Sequence, residues 1–296
     1  MAEIVELITA DASTAVDLER GGRVASLRVH GLELLVTAPT ESDRSIGWGS
    51  FLMAPWPGRL ADGRLRWRGS ELALPRNHGR HAIHGALFDR PWQLLRATRS
   101  ACELAAELPR DRWPFGGEVR QSISLRPGAL HLSAEVVAEV PMPAAVGWHP
   151  WFRRTIGSDA AGGVRLAVQA DGRLERLAMI PTGRVLPLDG PADLRRGPAL
   201  GRRRLDDIYV AVDGVPRLEW PELTLLFEIA PPLSVLTVYT PRHAVCVEPQ
   251  TAWPNALALE GANAERAGVA LVEPGRPFRA AWTLHWRAGR IPPGRA

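Results

Sequence analysis

The sequence predicts an all-β fold, a large antiparallel β-sandwich, and three observations support this prediction. Glycine and proline, with 28 and 26 residues, are spread along the 296 residues and divide the chain into short segments. Within these segments apolar residues recur at every second position, as in strands with one buried face. A sustained helical period is missing, and residues 256–267 offer the best candidate for one short helix.

The alternation predicts strands in chain order, each bounded by a turn signal. The predicted segments are residues 24–29 after Gly21-Gly22, the pair 64–68 and 71–74 around Gly69-Ser70, the pair 121–125 and 130–136 around Pro127-Gly128, the pair 223–229 and 234–239 around Pro231-Pro232, and the long strand 278–286. Because composition does not change along the chain, one domain over residues 1–296 is expected. Residues 287–296 are expected to form a flexible tail.

The composition also indicates the cellular compartment and argues against a network of disulfide bonds. No apolar run approaches the roughly 18 residues of a membrane span. The acidic start of the chain lacks the basic and apolar parts of a secretory leader. A cytoplasmic protein with no membrane partner is therefore expected. Cys102 and Cys246 are too few for a disulfide framework.

The charges exclude several partners and cofactors. All 36 basic residues are arginine, so lysine Schiff-base catalysis, pyridoxal phosphate attachment and the lysine of a phosphate-binding loop are excluded. The net charge is only +4, and acidic residues lie beside the arginine clusters. No nucleic-acid partner is therefore expected. The sequence leaves the oligomeric state open.

The first candidate for chemistry is His149, which lies between Trp148 and Trp151 and is followed by Pro150. The proline restricts His149 to extended or turn geometry and is expected to end the strand that arrives from residues 143–146. An imidazole fixed at a strand end suits a proton donor or acceptor, because histidine titrates near neutrality. The alternative is a core histidine packed among tryptophans.

Two further candidates lie elsewhere in the chain. Glu248 follows an alternating strand and faces either solvent or a cleft, and partial burial would raise its pKa towards that of a working base. His84 precedes Gly85, which permits close approach of a ligand or of backbone, although an ordinary turn is the alternative. His78 and His81 complete a set with His84 at intervals of three, but the surroundings indicate a loop, and no metal site is predicted.

Arg59 and Asp206 suit a ligand rich in hydroxyl groups. Charged side chains bind neighbouring hydroxyls, and the aromatic residues near them can pack against the C–H faces of a sugar. Surface ion pairs of little consequence are the alternative for both. Asp207 is an alternative to Asp206.

Taken in order, these segments resemble the aldose 1-epimerase (mutarotase) family. The matching motifs are Pro57-Gly58-Arg59 with Gly63, His84-Gly85, Gly147 to Phe152, Leu205 to Tyr209, Cys246 to Thr251, and Glu273-Pro274-Gly275. They cover almost the whole chain, and their forms are similar to the bacterial branch of unassigned sugar preference. One departure is Gly58, where the family often has asparagine.

The resemblance implies the galactose mutarotase-like form of the β-sandwich and a small sugar as substrate, with no cofactor and no metal. It implies Glu248 as general base and His149 as general acid, with His84 supporting the proton transfer. His84 would also bind the sugar, together with Arg59, Asp206, Trp148 and Trp151. Two alternatives to a free aldohexose mutarotase stay open, an epimerase for a phosphorylated or sulfonated hexose and a non-catalytic carbohydrate-binding protein.

Overall fold

The computed structural model describes residues 3–38, 46–157 and 163–289. Its first strands are β1 Ile4–Ile8, β2 Ala12–Asp17, β3 Arg23–Val29, β4 Leu32–Glu33, β5 Ser50–Met53, β6 Arg59–Leu60, β7 Arg64–Trp67, β8 Ser70–Ala73, β9 Ala82–Ile83, β10 Gln93–Ala97, β11 Ala101–Glu107 and β12 Glu118–Arg126. The later strands are β13 Ala129–Val137, β14 Met142–Ala144, β15 Gly147–Arg153, β16 Arg165–Leu177, β17 Ile180–Leu186, β18 Asp206–Glu219, β19 Leu223–Ile229, β20 Val235–Tyr239, β21 Ala244–Gln250, β22 Ala270–Val272 and β23 Phe278–Ala288.

Within the described residues, seventeen of these strands form one antiparallel sheet. Pairing runs from β1 through β2, β3, β5, β15, β21 and β20 to β18. It continues from β18 through β19, β23, β13, β12 and β11 to β10. The two halves face each other, since β1 and β2 lie against β12. The predicted all-β antiparallel sandwich is confirmed.

The core between the two halves is built by the alternation that the sequence shows. Strands β12 and β13 bury every second residue and form the predicted hairpin around Pro127-Gly128. On β23 the buried residues include Trp282 and Trp286, and Trp282 stacks on Phe227 of β19 with 5.7 Å between ring centroids. Burial of such side chains contributes about 1.5–3 kcal/mol each. The hairpin of β7 and β8 is also confirmed.

Two predictions about secondary structure are wrong in detail. Strands β19 and β20 exist, but they do not pair with each other. Both lie along the 14-residue β18 instead, which pairs with β20 near its start and with β19 near its end, so it joins the two halves of the sandwich. In place of one helix over residues 256–267, a 3-10 turn at Ala256–Ala258 precedes the five-residue helix α1, Ala262–Arg266.

The last strand includes part of the predicted C-terminal tail. Arg287 and Ala288 belong to β23 and pair with β19, although the predicted tail begins at residue 287. The rest of that predicted segment, from residue 290 onward, lies outside the described residues. Cys102 and Cys246 are both buried and free. In the described part of the chain, no helix is long and apolar enough to cross a membrane.

Candidate active site

A cavity of about 260 Å³ opens beside the strands of the first half of the sandwich. Its walls come from β6, β15, β16, β18, β20 and β21 and from the loop around β9. Six of the predicted site residues line it: Arg59, His84, His149, Trp151, Asp206 and Glu248. These residues come from segments far apart in sequence, so the fold brings the predicted set together.

Strand register brings His149 and Glu248 together. Pro150 does not end the strand as predicted, because β15 continues to Arg153 and His149 is the third of its seven residues. Pairing of β15 with β21 matches Gly147 with Gln250 and Trp151 with Cys246, which places His149 opposite Glu248. No ladder pairs form between these two points, where Pro150 and Pro249 both lack an N–H donor. His149 Nε2 and Glu248 Oε1 are 3.4 Å apart.

The Glu248 carboxyl group lies at the floor of the cavity and is 2% exposed. Gln250 Nε2 donates a hydrogen bond of 3.1 Å to Glu248 Oε2. Burial raises the pKa of Glu248 well above its usual range, and the nearby charge of Asp206 raises the pKa further. The hydrogen bond from Gln250 opposes this shift. A buried carboxylate of raised pKa is a stronger base than an exposed one.

His149 is 4% exposed and packed between rings. Its imidazole stacks on Trp151 with 4.9 Å between centroids and lies 5.0 Å from the Phe51 ring. Burial lowers the pKa of His149 from its usual 6.5 to about 3, and the positive charge of Arg23 adds to this effect. Arg23 is fully buried behind Phe51, where its guanidinium donates to the backbone oxygens of Arg20, Trp48 and Phe88.

His84 lies edge-on to His149, with 5.0 Å between ring centroids. Burial lowers the pKa of His84 well below its usual value, and the neighbouring His149 adds to this effect. The segment approaches the Ala54 backbone closely, because a side chain on Gly85 would lie 2.1 Å from the Ala54 carbonyl oxygen. Gly85 also has a φ of +81°, a conformation that favours glycine. The glycine therefore lets His84 enter the cavity beside His149.

The three closely spaced histidines lie in the predicted loop, which is interrupted by the short β9. His78 and His84 line the cavity. The His81 ring makes a different contact: its Nδ1 accepts a hydrogen bond of 3.1 Å from the Asp62 backbone N–H. The three rings therefore do not converge on one point.

The polar wall of the cavity contains Arg59 and Asp206. Asp206 forms an ion pair of 2.8 Å with Arg176, which also lines the cavity. Asp207 points elsewhere and pairs with Arg173 at 3.4 Å, as expected for adjacent residues of a strand, whose side chains alternate between faces. Burial lowers the pKa of Arg59, although nearby Asp206 opposes the shift. Of the two aspartates, Asp206 is the one at the cavity.

The two tryptophans beside His149 have different positions. Trp151 shares a strand face with His149 and lines the cavity. Trp148 faces the opposite side of β15, is fully buried in the main core and packs against Trp282 with 6.3 Å between centroids. The structure therefore does not bring Trp148 to the cavity, in contrast to the prediction. The two-residue period of an uninterrupted strand is the physical reason.

Gly58 occupies a position that glycine suits. Its φ is +64°, and a Cβ atom there would lie 2.7 Å from Pro254. The contact with Pro254 therefore explains why a larger residue is not accommodated without a shift of that proline. Further cavity residues were not assigned from the sequence, among them Arg176, Thr237 and Tyr239. The alternation of apolar and polar residues around them predicts strands, but it does not indicate a role in binding.

The sequence is similar to a known protein family and to a known protein. The family model for aldose 1-epimerase matches residues 3–285. An uncharacterized protein of Escherichia coli (strain K12), YihR, is 32% identical over 138 residues, which is 45% of this chain and 44% of that protein. The matched segment thus spans less than half of that relative.

Solved structures share the fold at low identity. A putative aldose 1-epimerase from Escherichia coli K12 has a TM-score of 0.85 at 20% identity, covering 97% of this chain and 100% of the other. The GalM/aldose epimerase homologue from C. elegans has a TM-score of 0.84 at 17% identity, with coverage of 98% and 100%. The galactose 1-epimerase from Lactobacillus acidophilus NCFM has a TM-score of 0.78 at 16% identity, with coverage of 97% and 95%.

The fold is that of a galactose mutarotase-like β-sandwich. The family match over nearly the whole chain goes one step further. This chain belongs to the aldose 1-epimerase family, a family of isomerases.

Proposed function

We propose that this protein is a mutarotase that interconverts the α and β anomers of a free aldohexose by acid–base opening and reclosure of the ring. Opening a hemiacetal requires a base at the anomeric hydroxyl and an acid at the ring oxygen, acting across one carbon. The observation that carries the proposal is the buried pair of Glu248 and His149, 3.4 Å apart on the cavity floor. No cofactor is required for this reaction.

The protons balance if the pair holds one proton throughout. The two shifted pKa values place this proton on Glu248 before the reaction, and its transfer to His149 across the 3.4 Å contact gives the reactive pair of a carboxylate and an imidazolium. Glu248 takes the proton of the anomeric hydroxyl and His149 gives its proton to the ring oxygen, while the bond between the anomeric carbon and the ring oxygen breaks and a carbonyl forms. After rotation about the adjacent carbon–carbon bond, the reverse transfers close the ring as the other anomer.

Once this reactive pair has formed, the surroundings favour both transfers. The raised pKa of Glu248 makes its carboxylate a stronger base, and the lowered pKa of His149 makes its imidazolium a stronger acid. In this proposal His84, edge-on to His149, supports the proton transfer and binds the sugar. Arg59 and Asp206 hold hydroxyl groups, and Trp151, whose ring stacks on His149, provides an apolar part of the cavity wall beside the sugar.

Polarimetry of freshly dissolved α-glucose and α-galactose tests the proposal. The protein is expected to speed equilibration of at least one of them above the rate in buffer alone. The non-catalytic alternative makes the opposite prediction: sugars would bind, as measured by calorimetry, while equilibration would proceed at the buffer rate. That result would replace the mutarotase proposal with a carbohydrate-binding protein.

A second candidate substrate is an anionic hexose, and one observation favours it. Arg59 and Arg176 both line the cavity, and within the described part of the chain Arg59 forms no ion pair with a carboxylate. A guanidinium without a carboxylate partner is suited to a phosphate or sulfonate group. Turnover of a hexose 6-phosphate and a 6-sulfonated hexose should then exceed that of glucose, and Arg59→Met should remove the preference. Equal turnover of charged and neutral sugars would exclude this candidate.

A further inference from the structure

Cys246 is a buried thiol beside the cavity floor that the proposed proton transfers do not use. It is two residues from Glu248 on β21, so both side chains point to the same face of the sheet. The thiol is 0% exposed and is packed among Phe51, Met53 and Trp151. Its sulfur lies close to the acid–base pair.

Three side chains at this point are of types that can bind a metal ion. One ligand atom each from His149, Cys246 and Glu248 lie within 4.8 Å of one another. Two of them, His149 Nε2 and Glu248 Oε1, are 3.4 Å apart. In a tetrahedral zinc site, with bonds of about 2.0–2.3 Å, neighbouring ligand atoms lie about 3.3–3.6 Å apart. Side-chain shifts of about 1 Å would therefore bring the set to a zinc-binding geometry.

We propose that the cavity floor is an inhibitory site for a thiophilic divalent cation such as Zn²⁺, bound by the Cys246 thiolate, the Glu248 carboxylate and the His149 imidazole. The fourth coordination position faces the cavity, where water or a sugar hydroxyl completes the shell. A bound ion occupies the lone pairs that proton transfer requires, so sugar turnover stops while the ion stays.

Charge and ligand type decide which ions fit. A thiolate and a carboxylate together neutralise the two positive charges of the ion, which limits the free-energy cost of placing it in a buried site. Thiolate and imidazole ligands favour Zn²⁺, Co²⁺ and Cd²⁺, whereas Mg²⁺ prefers oxygen ligands. Binding displaces the thiol proton of Cys246 and the single proton shared by Glu248 and His149, so two protons leave per ion.

A spectroscopic titration tests the site independently of any enzyme activity. Co²⁺ is added to the full-length protein, and the thiolate-to-cobalt charge-transfer band is followed in the near ultraviolet. The band is expected to saturate at one ion per chain and to disappear on addition of Zn²⁺, which competes for the site. Mg²⁺ in excess is expected to leave the band unchanged. Absence of a thiolate band at saturating Co²⁺ would overturn the proposal.

Variants assign the band to one thiol. Cys246→Ala, and Cys246→Ser as a second variant of similar size, are expected to abolish it. Cys102→Ala is the matched control, because Cys102 is also a buried free thiol but lies on β11 outside the cavity. That variant should keep the band. Persistence of the band in both Cys246 variants would assign the site elsewhere and overturn the proposal.

The inhibition, unlike the binding, rests on the proposed mutarotase function. Zn²⁺ is expected to suppress anomer equilibration, and a chelator to restore it. Cys246→Ala should keep its basal rate and require roughly tenfold or more Zn²⁺ for the same inhibition. Equal sensitivity of Cys246→Ala and the natural protein would refute the inhibitory role. If the protein has no mutarotase activity but shows the Co²⁺ band, the proposed function fails and the metal site stands.

Discussion

Replacing Glu248 by glutamine isolates the base proposed for ring opening. The amide has nearly the same shape as the carboxyl group, and its oxygen can still accept the hydrogen bond that Gln250 Nε2 now donates to Glu248. It cannot accept a proton from the anomeric hydroxyl at neutral pH. Glu248→Gln therefore removes the chemistry while it preserves the packing of the cavity floor.

The size of the effect follows from the position of the carboxyl group. Loss of a general base costs about 10²- to 10⁴-fold in rate, or about 2.7–5.5 kcal/mol in activation free energy. The upper half of this range is expected, because Glu248 is 2% exposed and bulk water has little access to replace it as base. Sugar binding should change much less than turnover.

The assay is polarimetry, with the spontaneous rate in buffer subtracted. Glu33→Gln provides a matched control: Glu33 accepts hydrogen bonds from the backbone N–H groups of Leu27 and Leu35 and does not line the cavity. This control should lower stability and leave turnover unchanged. Retention of more than about a tenth of the natural rate by Glu248→Gln would remove Glu248 from the role of base.

The same substitution should change how stability depends on pH. Because the pKa of Glu248 is raised in the folded protein, the folded state binds more protons than the unfolded chain once pH exceeds the ordinary carboxyl pKa. The natural protein therefore loses stability as pH rises from that value through the raised pKa, and Glu248→Gln lacks this loss. The Tm of the variant relative to the natural protein is expected to increase from acidic to neutral pH. A constant difference in Tm would contradict the raised pKa.

Three further predictions concern the cavity wall and its support. Asp206→Asn should lower kcat/KM by roughly ten- to hundredfold, as for a lost charged hydrogen bond of about 1.5–3 kcal/mol, whereas Asp207→Asn should leave it nearly unchanged. Trp148→Ala and Trp151→Ala should both lower the free energy of unfolding by about 3–5 kcal/mol in a denaturant titration, because both rings are buried, but only Trp151→Ala should also reduce kcat/KM; a loss of kcat/KM in Trp148→Ala alone would contradict their placement. Gly85→Ala should lower the free energy of unfolding by about 2 kcal/mol or more and displace His84 from the cavity. An unchanged Tm would contradict the predicted loss of stability.

The sequence by itself determined the type of fold and the chemical types at the site. The period of two along residues such as those of β12, β13 and β23 is a local property, because each side chain faces core or solvent by its position in its own strand. Turn residues are also local, so the hairpin around Pro127-Gly128 was predicted. The motifs that carry the family resemblance likewise lie within short segments, and the family match confirms that resemblance.

Only the tertiary structure decided which strands are neighbours. Strands β19 and β20 follow each other in the chain and look like a hairpin, yet both pair with β18. Pro150 lies inside β15, opposite a stretch of β21 that forms no ladder pairs with it, so the missing N–H costs nothing on that side. A proline indicates the end of a strand only where the ladder would need its backbone N–H as a hydrogen-bond donor. Whether the ladder needs that donor depends on the partner strand.

The candidate active site depends on both the sequence and the tertiary structure. His149 and Glu248 are distant in sequence, and their contact depends on the register between β15 and β21. Burial, which raises the pKa of one and lowers the pKa of the other, is a property of the packed sandwich and not of either segment. The sequence determined which groups are present; the tertiary structure decided that they face each other, because strand pairing and burial involve residues far apart in the chain.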